Sequence, residues 1–264
     1  MSSYRFVEVE REGRVTVVTL NRPEVMNALH PPAQQELDAV FDDFQNDPGQ
    51  WIAIVTGAGD RAFSAGNDLK FQAEHGAAAL REGMAKVKGG FGGLHRRTDL
   101  WKPVIAAVNG FALGGGFEIV LSCDIVLAAE HATFGLPEPR VGLMAGAGGV
   151  HRLPRQIPYH IAMGMILTAR RITARDAERY GLVNEVVPAA ELMPTARRWT
   201  AEILECAPLS IRASKEAAVE GLGMPLPEAL AHRFPGADRM YASADFVEGP
   251  RAFAEKRKPN WTGA

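Results

Sequence analysis

The sequence predicts an α/β fold in which strands and helices interleave over roughly the first two-thirds of the chain and helices dominate the remainder. Three observations carry this expectation. Short apolar runs that end in glycine, such as "WIAIVTGAG" and "PVIAAVNG", alternate with segments whose apolar residues recur at helical spacing. From Pro158 onward the pattern turns mostly helical. The chain is 47% hydrophobic over 264 residues, enough for one large core or a core with a smaller appendage.

The elements follow in order. "YRFVEVE" and "RVTVVTL" are strand-like and flank a Glu-Gly turn, the pattern of a hairpin. "PPAQQELDAVFDDFQND" sets Leu37, Val40, Phe41 and Phe44 at helical spacing behind prolines suited to a first turn. "WIAIVTGAG" then reads as a buried strand, completing a β-β-α-β beginning. "PVIAAVNG" and "DIVLAAE" are further buried strands, separated by the glycine-led, helix-like segment 114–122. In the last third, "YHIAMGMILTARRI", "ELMPTARRWTAEILECA", "LSIRASKEAAVEGL" and "PEALAHRFPGADRMYASADF" are mostly helical, with "LVNEVV" as the single late strand. The division is placed between residues 1–199 and 200–264, and no low-complexity linker marks it.

Charge and cysteine usage remove several function classes. The net charge is −2 with acids and bases interspersed, so neither a nucleic-acid surface nor a polybasic membrane patch is expected. Cys123 and Cys206 show no metal-ligand spacing and sit in apolar, helix-like contexts, which favours reduced thiols in packing roles and predicts no metal site. The start, "MSSYRFVEVEREGRV", is charged and alternating, and no run approaches the ~20 apolar residues that a span requires. A cytoplasmic protein is expected.

Candidate chemistry begins at the backbone. In "FSAGNDL" a strand end runs through Ala-Gly into a helix start with Asp68 in its opening turn, and "GFALGGGFE" repeats the event. Glycine costs about 1 kcal/mol relative to alanine in regular structure, so three in succession need a steric or conformational reason. Either cluster alone is explained by a tight turn or a close packing contact. Two such turns can also aim main-chain N–H groups at one acceptor, and Asn67 and Gly115 are the candidate donors of an oxyanion hole.

Two carboxylates stand where an acid is awkward. Glu118 lies three residues beyond Gly115 among Phe117, Ile119, Val120 and Leu121, and Glu138 is held between Pro137 and Pro139 after a short apolar strand. Two acids in a poorly solvated cleft can share a water and have their proton affinities split, so that one acts as base and the other as acid. Structural salt bridges to Arg140 or Arg152 fit the same residues equally well. His151 reads as a surface or packing histidine, and Cys123 has no histidine at a recognisable partner position, so neither is given a catalytic role.

Taken together, "AFSAGNDLK", "KPVIAAVNGFALGGGFEIVLSCDIVLAAE", "ATFGLPEPRVGL", "GAGGVHRLPR" and "ARDAERYGLVNEVV" resemble, in order and spacing, the enoyl-CoA hydratase (crotonase) family over most of the chain. The resemblance implies a crotonase (ClpP-like) spiral of β-β-α turns with a helical C-terminal trimerisation region, assembled as a homotrimer or as a homohexamer of paired trimers. It implies an acyl-CoA thioester substrate and no permanently bound cofactor, coenzyme A entering as part of the substrate. Carried over by position, the oxyanion donors match Asn67 and Gly115, and the two hydratase glutamates match Glu118 and Glu138. The coenzyme A site matches the segment around Val25, Met26 and Ala28 and the stretch Ala65, Asn67, Asp68 and Leu69. Lys256 resembles a terminal-helix cation facing a CoA phosphate, a solvated charged tail being the alternative.

The implied reaction is reversible addition of water to a 2-enoyl-CoA. An enoyl-CoA isomerase or acyl-CoA hydrolase would use the same oxyanion hole without needing both glutamates, and a non-catalytic CoA-binding protein would bind the thioester without turnover. Residues 70–100 correspond to the stretch that shapes the acyl pocket. "GGFGGL" and "FVEGPRAFAEKRKPNW" look most like the crotonobetainyl-CoA hydratase (carnitinyl-CoA dehydratase) members, for whose cationic acyl chain Phe71, Phe91 and Trp101 are candidate aromatic surface, with ordinary apolar packing as the alternative.

Overall fold

The computed structural model describes residues 4–264 apart from the Ala77 side chain. The expected hairpin is formed by β1 (Val7–Glu12) and β2 (Val15–Leu20), which pair antiparallel with Val9 opposite Val18. β1 buries little beyond Val7, as an edge strand does, while β2 is buried almost throughout. α1 (Pro31–Asn46) carries prolines in its first turn, is capped by His30 Nδ1 accepting from the Ala33 N–H, and buries the predicted face of Leu37, Val40, Phe41 and Phe44.

A unit of two strands and a helix then recurs. β3 (Ile52–Gly57) and β4 (Ala62–Ser64) lead into α2 (Leu69–Ala85), which breaks at Gly76. β5 (Val104–Val108) and β6 (Phe111–Leu113) lead into α3 (Gly115–Val120). β7 (Ile125–Ala129) and β8 (Thr133–Gly135) lead through the 3-10 turn Glu138–Val141 into α4 (Gly149–Gln156). α5 (Tyr159–Thr168), β9 (Ile172–Thr173), α6 (Ala174–Arg179) and β10 (Glu185–Val187) follow.

Each unit deals its first strand to a six-stranded sheet, ordered β1-β2-β3-β5-β7-β10, and its second to a four-stranded sheet, ordered β4-β6-β8-β9. Pairing from β2 to β10 in the first sheet and from β4 to β8 in the second is parallel, so each return must cross over, which the intervening segments provide. This is the implied spiral of β-β-α turns. Ile54, Ile105 and Leu127 are buried completely in neighbouring inner strands, which explains why those strands read as continuous apolar runs. "LVNEVV" is not the only late strand: Ile172 and Thr173 form β9, antiparallel to β8, and two residues are too few to leave a periodicity.

The chain divides into two compact units. The first holds Met1–Thr98 and Val104–Arg197, and the second holds Asp99–Pro103 and Arg198–Ala264. The division falls inside α7 (Leu192–Leu204), and the second unit continues with α8 (Pro208–Gly221), α9 (Leu226–Ala231), α10 (Pro235–Tyr241) and α11 (Ala244–Ala254). Within it, the Gly236 N–H donates to the buried Glu216 carboxylate, and Lys215 Nζ donates to the Lys102 carbonyl at 3.1 Å, which ties the 99–103 segment to α8. Cys123 is buried and Cys206 is exposed; both are thiols, so the packing role expected of Cys206 is not realised at the end of α7. Among the described residues no helix is long and apolar enough to cross a membrane.

Candidate active site

Adjacent parallel strands β4 and β6 bring two turns to the same edge of the smaller sheet. β4 leaves through Ala65-Gly66-Asn67 into α2, and β6 leaves through Gly114 into α3. Gly66 has φ 87°, and a Cβ there would lie 2.7 Å from both the Gly115 nitrogen and the Leu113 oxygen. The two turns therefore meet through bare backbone. In the triple glycine, Gly114 has φ 54°, a Cβ on Gly115 would collide with the Phe91 ring, and one on Gly116 with the Ser64 carbonyl. Close approach on three sides is the steric reason for the run. The N–H groups of Asn67 and Gly115 have no hydrogen-bond acceptor among the described residues, and both residues line one cavity of about 300 Å³.

Glu118 and Glu138 line the same cavity. Glu118 projects from the first turn of α3, is 4% exposed, and its Oε1 accepts from the Gly149 N–H at 2.8 Å. Burial pushes its carboxyl from 4.5 up to about 7; the Gly149 and Ala147 N–H groups oppose the rise, and the nearby Glu138 charge adds to it. Glu138 begins the 3-10 turn. Its Oε1 sits beside Gly114, where a Cβ would approach to 2.9 Å, and its Oε2 is buried without a hydrogen-bond partner. Burial raises its carboxyl too, against a hydrogen bond from its own N–H.

Neither acid has an ion-pair partner among the described residues, so the salt-bridge alternative is not realised. Arg140 is exposed, and Arg152 Nη2 donates to the His95 carbonyl at 2.9 Å. The arrangement is two unoccupied main-chain donors facing a poorly solvated acid pair. Such a site can hold charge developing on a carbonyl oxygen and move a proton beside it.

The segments expected to hold coenzyme A are brought together. Val25 closes the 3-10 turn Pro23–Val25, Met26 adopts φ 55°, and Ala28 is buried. The Ala65 N–H donates to Met26 O at 2.9 Å, Leu29 N–H to Gly66 O at 2.8 Å, and Asp68 N–H to Leu29 O at 3.1 Å. Ala65, Asn67 and Leu69 line the cavity, while Asp68 caps α2 through the Phe71 N–H at 3.1 Å. Lys256 is exposed just past α11 in the second unit and is not among the cavity-lining residues. From residues 70–100, Gln72, Leu80, Met84 and Phe91 form cavity wall. Phe71 instead stacks on His75 with ring centroids 4.1 Å apart, and Trp101 belongs to the second unit.

Sequence reasoning missed several contributors. Gln34, 0% exposed on α1, reaches the cavity and accepts from the Gly92 N–H, and Gln72 accepts from Asn67 Nδ2 at 2.8 Å. Gly149 lies inside "GAGGVHRLPR", but its partner is 31 residues away, a distance that no local pattern encodes. His151 is exposed on α4, and Cys123 donates to the Ile119 carbonyl, so both stay outside the site as expected.

Residues 10–264 match the enoyl-CoA hydratase/isomerase family model. The chain is 44% identical over 261 residues to carnitinyl-CoA dehydratase of Escherichia coli K12, covering 97% of this chain and 98% of that one. It superposes on enoyl-CoA hydratase from Bacillus anthracis with TM-score 0.91 at 35% identity, covering 98% of this chain and all of that chain. Enoyl-CoA hydratase from Mycobacterium tuberculosis H37Rv superposes with TM-score 0.90 at 37% identity, covering 98% and 99% of the two chains.

Proposed function

The chain belongs to the enoyl-CoA hydratase/isomerase family, and from that premise we propose that it is a hydro-lyase catalysing reversible addition of water to a 2-enoyl-CoA. The observation that carries the reading is the convergence of two acceptor-free N–H groups, the buried Glu118 and the half-buried Glu138 on one cavity. The Asn67 and Gly115 amides polarise the thioester carbonyl and hold the enolate charge, an effect for which loss of one donor costs about 3 kcal/mol. Water held between Glu118 and Glu138 attacks C3. The pair takes the proton released as the C3–O bond forms and returns it at C2, so water is added without net change of protonation.

Burial raises both carboxyls, and Glu118, at about 7, is suited to exchange protons near neutral pH. An isomerase or a thioester hydrolase on this scaffold would not need the second glutamate. The chemistry calls for no resident cofactor, coenzyme A arriving with the substrate. Val25, Met26, Ala28 and Ala65–Leu69 form its binding surface in this reading, and Lys256 meets a CoA phosphate from a neighbouring subunit. Homotrimer or homohexamer assembly through residues 200–264 is supported by large apolar side chains of the second unit left in solvent, Leu222 89%, Leu230 79% and Phe253 87% exposed. The location is cytoplasmic.

The test is loss of the conjugated-thioester absorbance with crotonyl-CoA. Glu138→Gln lowers turnover by about a hundredfold or more while acyl-CoA binding survives; near-normal turnover removes Glu138 from the reaction. The 44% identity to carnitinyl-CoA dehydratase favours one narrower reading, hydration of a crotonobetainyl-CoA, and a thioester panel that includes it compares the two by kcat/KM.

A further inference from the structure

The Asn67 amide points into the cavity only if the turn carrying it is held, and the holding contacts lead to a side chain outside the cavity. Leu29 grips both neighbours of Asn67, donating to Gly66 O and accepting from Asp68 N. That grip depends on the turn at residues 22–29, where Met26 and Asn27 both take positive φ, 55° and 54°, a conformation that persists in non-glycine residues only when surroundings impose it. Arg22 supplies much of the imposition. Its N–H donates to Asn27 Oδ1 at 2.9 Å, and its carbonyl accepts from Asn27 N at 2.8 Å. Its Nη1 donates to Ala28 O at 2.5 Å and to Asp68 Oδ2 at 2.9 Å. The guanidinium is 14% exposed and the Asp68 carboxylate 11%, so the pair is shielded from solvent. One nitrogen thus bolts the strained turn to the cap of α2, across the residue whose amide faces the cavity.

We infer that Arg22 is a positioning residue for the Asn67 N–H: through Ala28 O and Asp68 it sets the distance between that donor and the Gly115 N–H. It acts through the backbone and touches neither thioester nor water. The kinetic arm of the test rests on the hydratase reading; the optical arm needs only thioester binding.

The variants are Arg22→Met, which keeps the apolar stem and removes the donors, and Arg22→Lys, which restores a cation. The probe is a conjugated dienoyl-CoA, whose absorbance moves to longer wavelength when its carbonyl is polarised in a bound complex. Arg22→Met is expected to lose much of that red shift in the fully bound complex and to lower kcat on crotonyl-CoA by about tenfold to a hundredfold, both read at saturating ligand because the turn it holds also carries the proposed coenzyme A surface. Arg22→Lys recovers part of both. If Arg22→Met fails to fold, Asp68→Asn tests the same link, because it weakens the partner while leaving an oxygen for the Phe71 N–H. Weaker coenzyme A binding with a full red shift and unchanged kcat would make Arg22 a ligand for the cofactor moiety and overturn the inference. An unchanged red shift and unchanged kcat would overturn it as well. Wild-type protein that binds the probe with a red shift but does not hydrate crotonyl-CoA would instead overturn the hydratase reading and leave the optical arm to decide the role of Arg22.

Discussion

Glu118→Gln should remove activity and stabilise the protein in the same stroke. The wild-type carboxyl is raised by burial from 4.5 to about 7, so at alkaline pH the fold carries a charge it disfavours by about 3 kcal/mol. Glutamine keeps the side-chain length and an oxygen for the Gly149 N–H, and it brings no charge. The sign follows from proton binding: between pH 4.5 and about 7 the folded state holds more protons at this site than the unfolded state, so wild-type stability falls as pH rises through that window. The stability gain of the variant is therefore near zero below pH 4.5, grows across the window and levels off above about 7. Chemical denaturation of both proteins at pH 4.5, 6 and 8 measures the gain, and crotonyl-CoA turnover at the same pH values should fall by about a hundredfold or more. A variant no more stable than wild type at pH 8 would refute the claim that burial strains this acid, and retained turnover would refute its place in the reaction.

Other perturbations probe the frame around the acids. Gly66→Ala puts a Cβ 2.7 Å from the Gly115 nitrogen at a positive φ and should cost about 2–4 kcal/mol together with most of the turnover; wild-type melting and kcat would show that the turns do not meet as described. Arg97→Met strips the buried Asp38 of a partner at 2.7 Å and loosens the segment that carries Phe91, at about 3–5 kcal/mol read from the urea midpoint, and a shift below 1 kcal/mol would contradict the burial of that pair. With an aromatic disulfide reagent, Cys206 should react in the native protein and Cys123 only after unfolding; rapid native labelling of a Cys206→Ser variant would show that Cys123 is reachable.

Much of the fold was legible because its signals are local. Strand runs closed by glycine, the apolar face of α1 and the glycine-led start of α3 each depend on residues within a few positions of one another, and all three appear where expected. The gathering of Asn67, Gly115, Glu118 and Glu138 around one cavity involves positions that stood out in the sequence for a related reason, since glycine turns bare main-chain N–H groups and awkward acids stand out among apolar neighbours. β9 was missed because two residues cannot display a period, and Cys206 because an apolar context in sequence says nothing of which face of a helix end meets water.

The sequence alone therefore determined most of the order of strands and helices, the two glycine turns, and which acids stand beside them. Tertiary structure decided what surrounds them. The parallel pairing of β4 with β6 brings Gly66 against Gly115, the Gly149 N–H reaches Glu118 across 31 residues, and Arg22 meets Asp68 across 46. These distances are closed by sheet register and by burial of side chains from many segments at once, and the desolvation that raises both carboxyls exists only after that packing is complete.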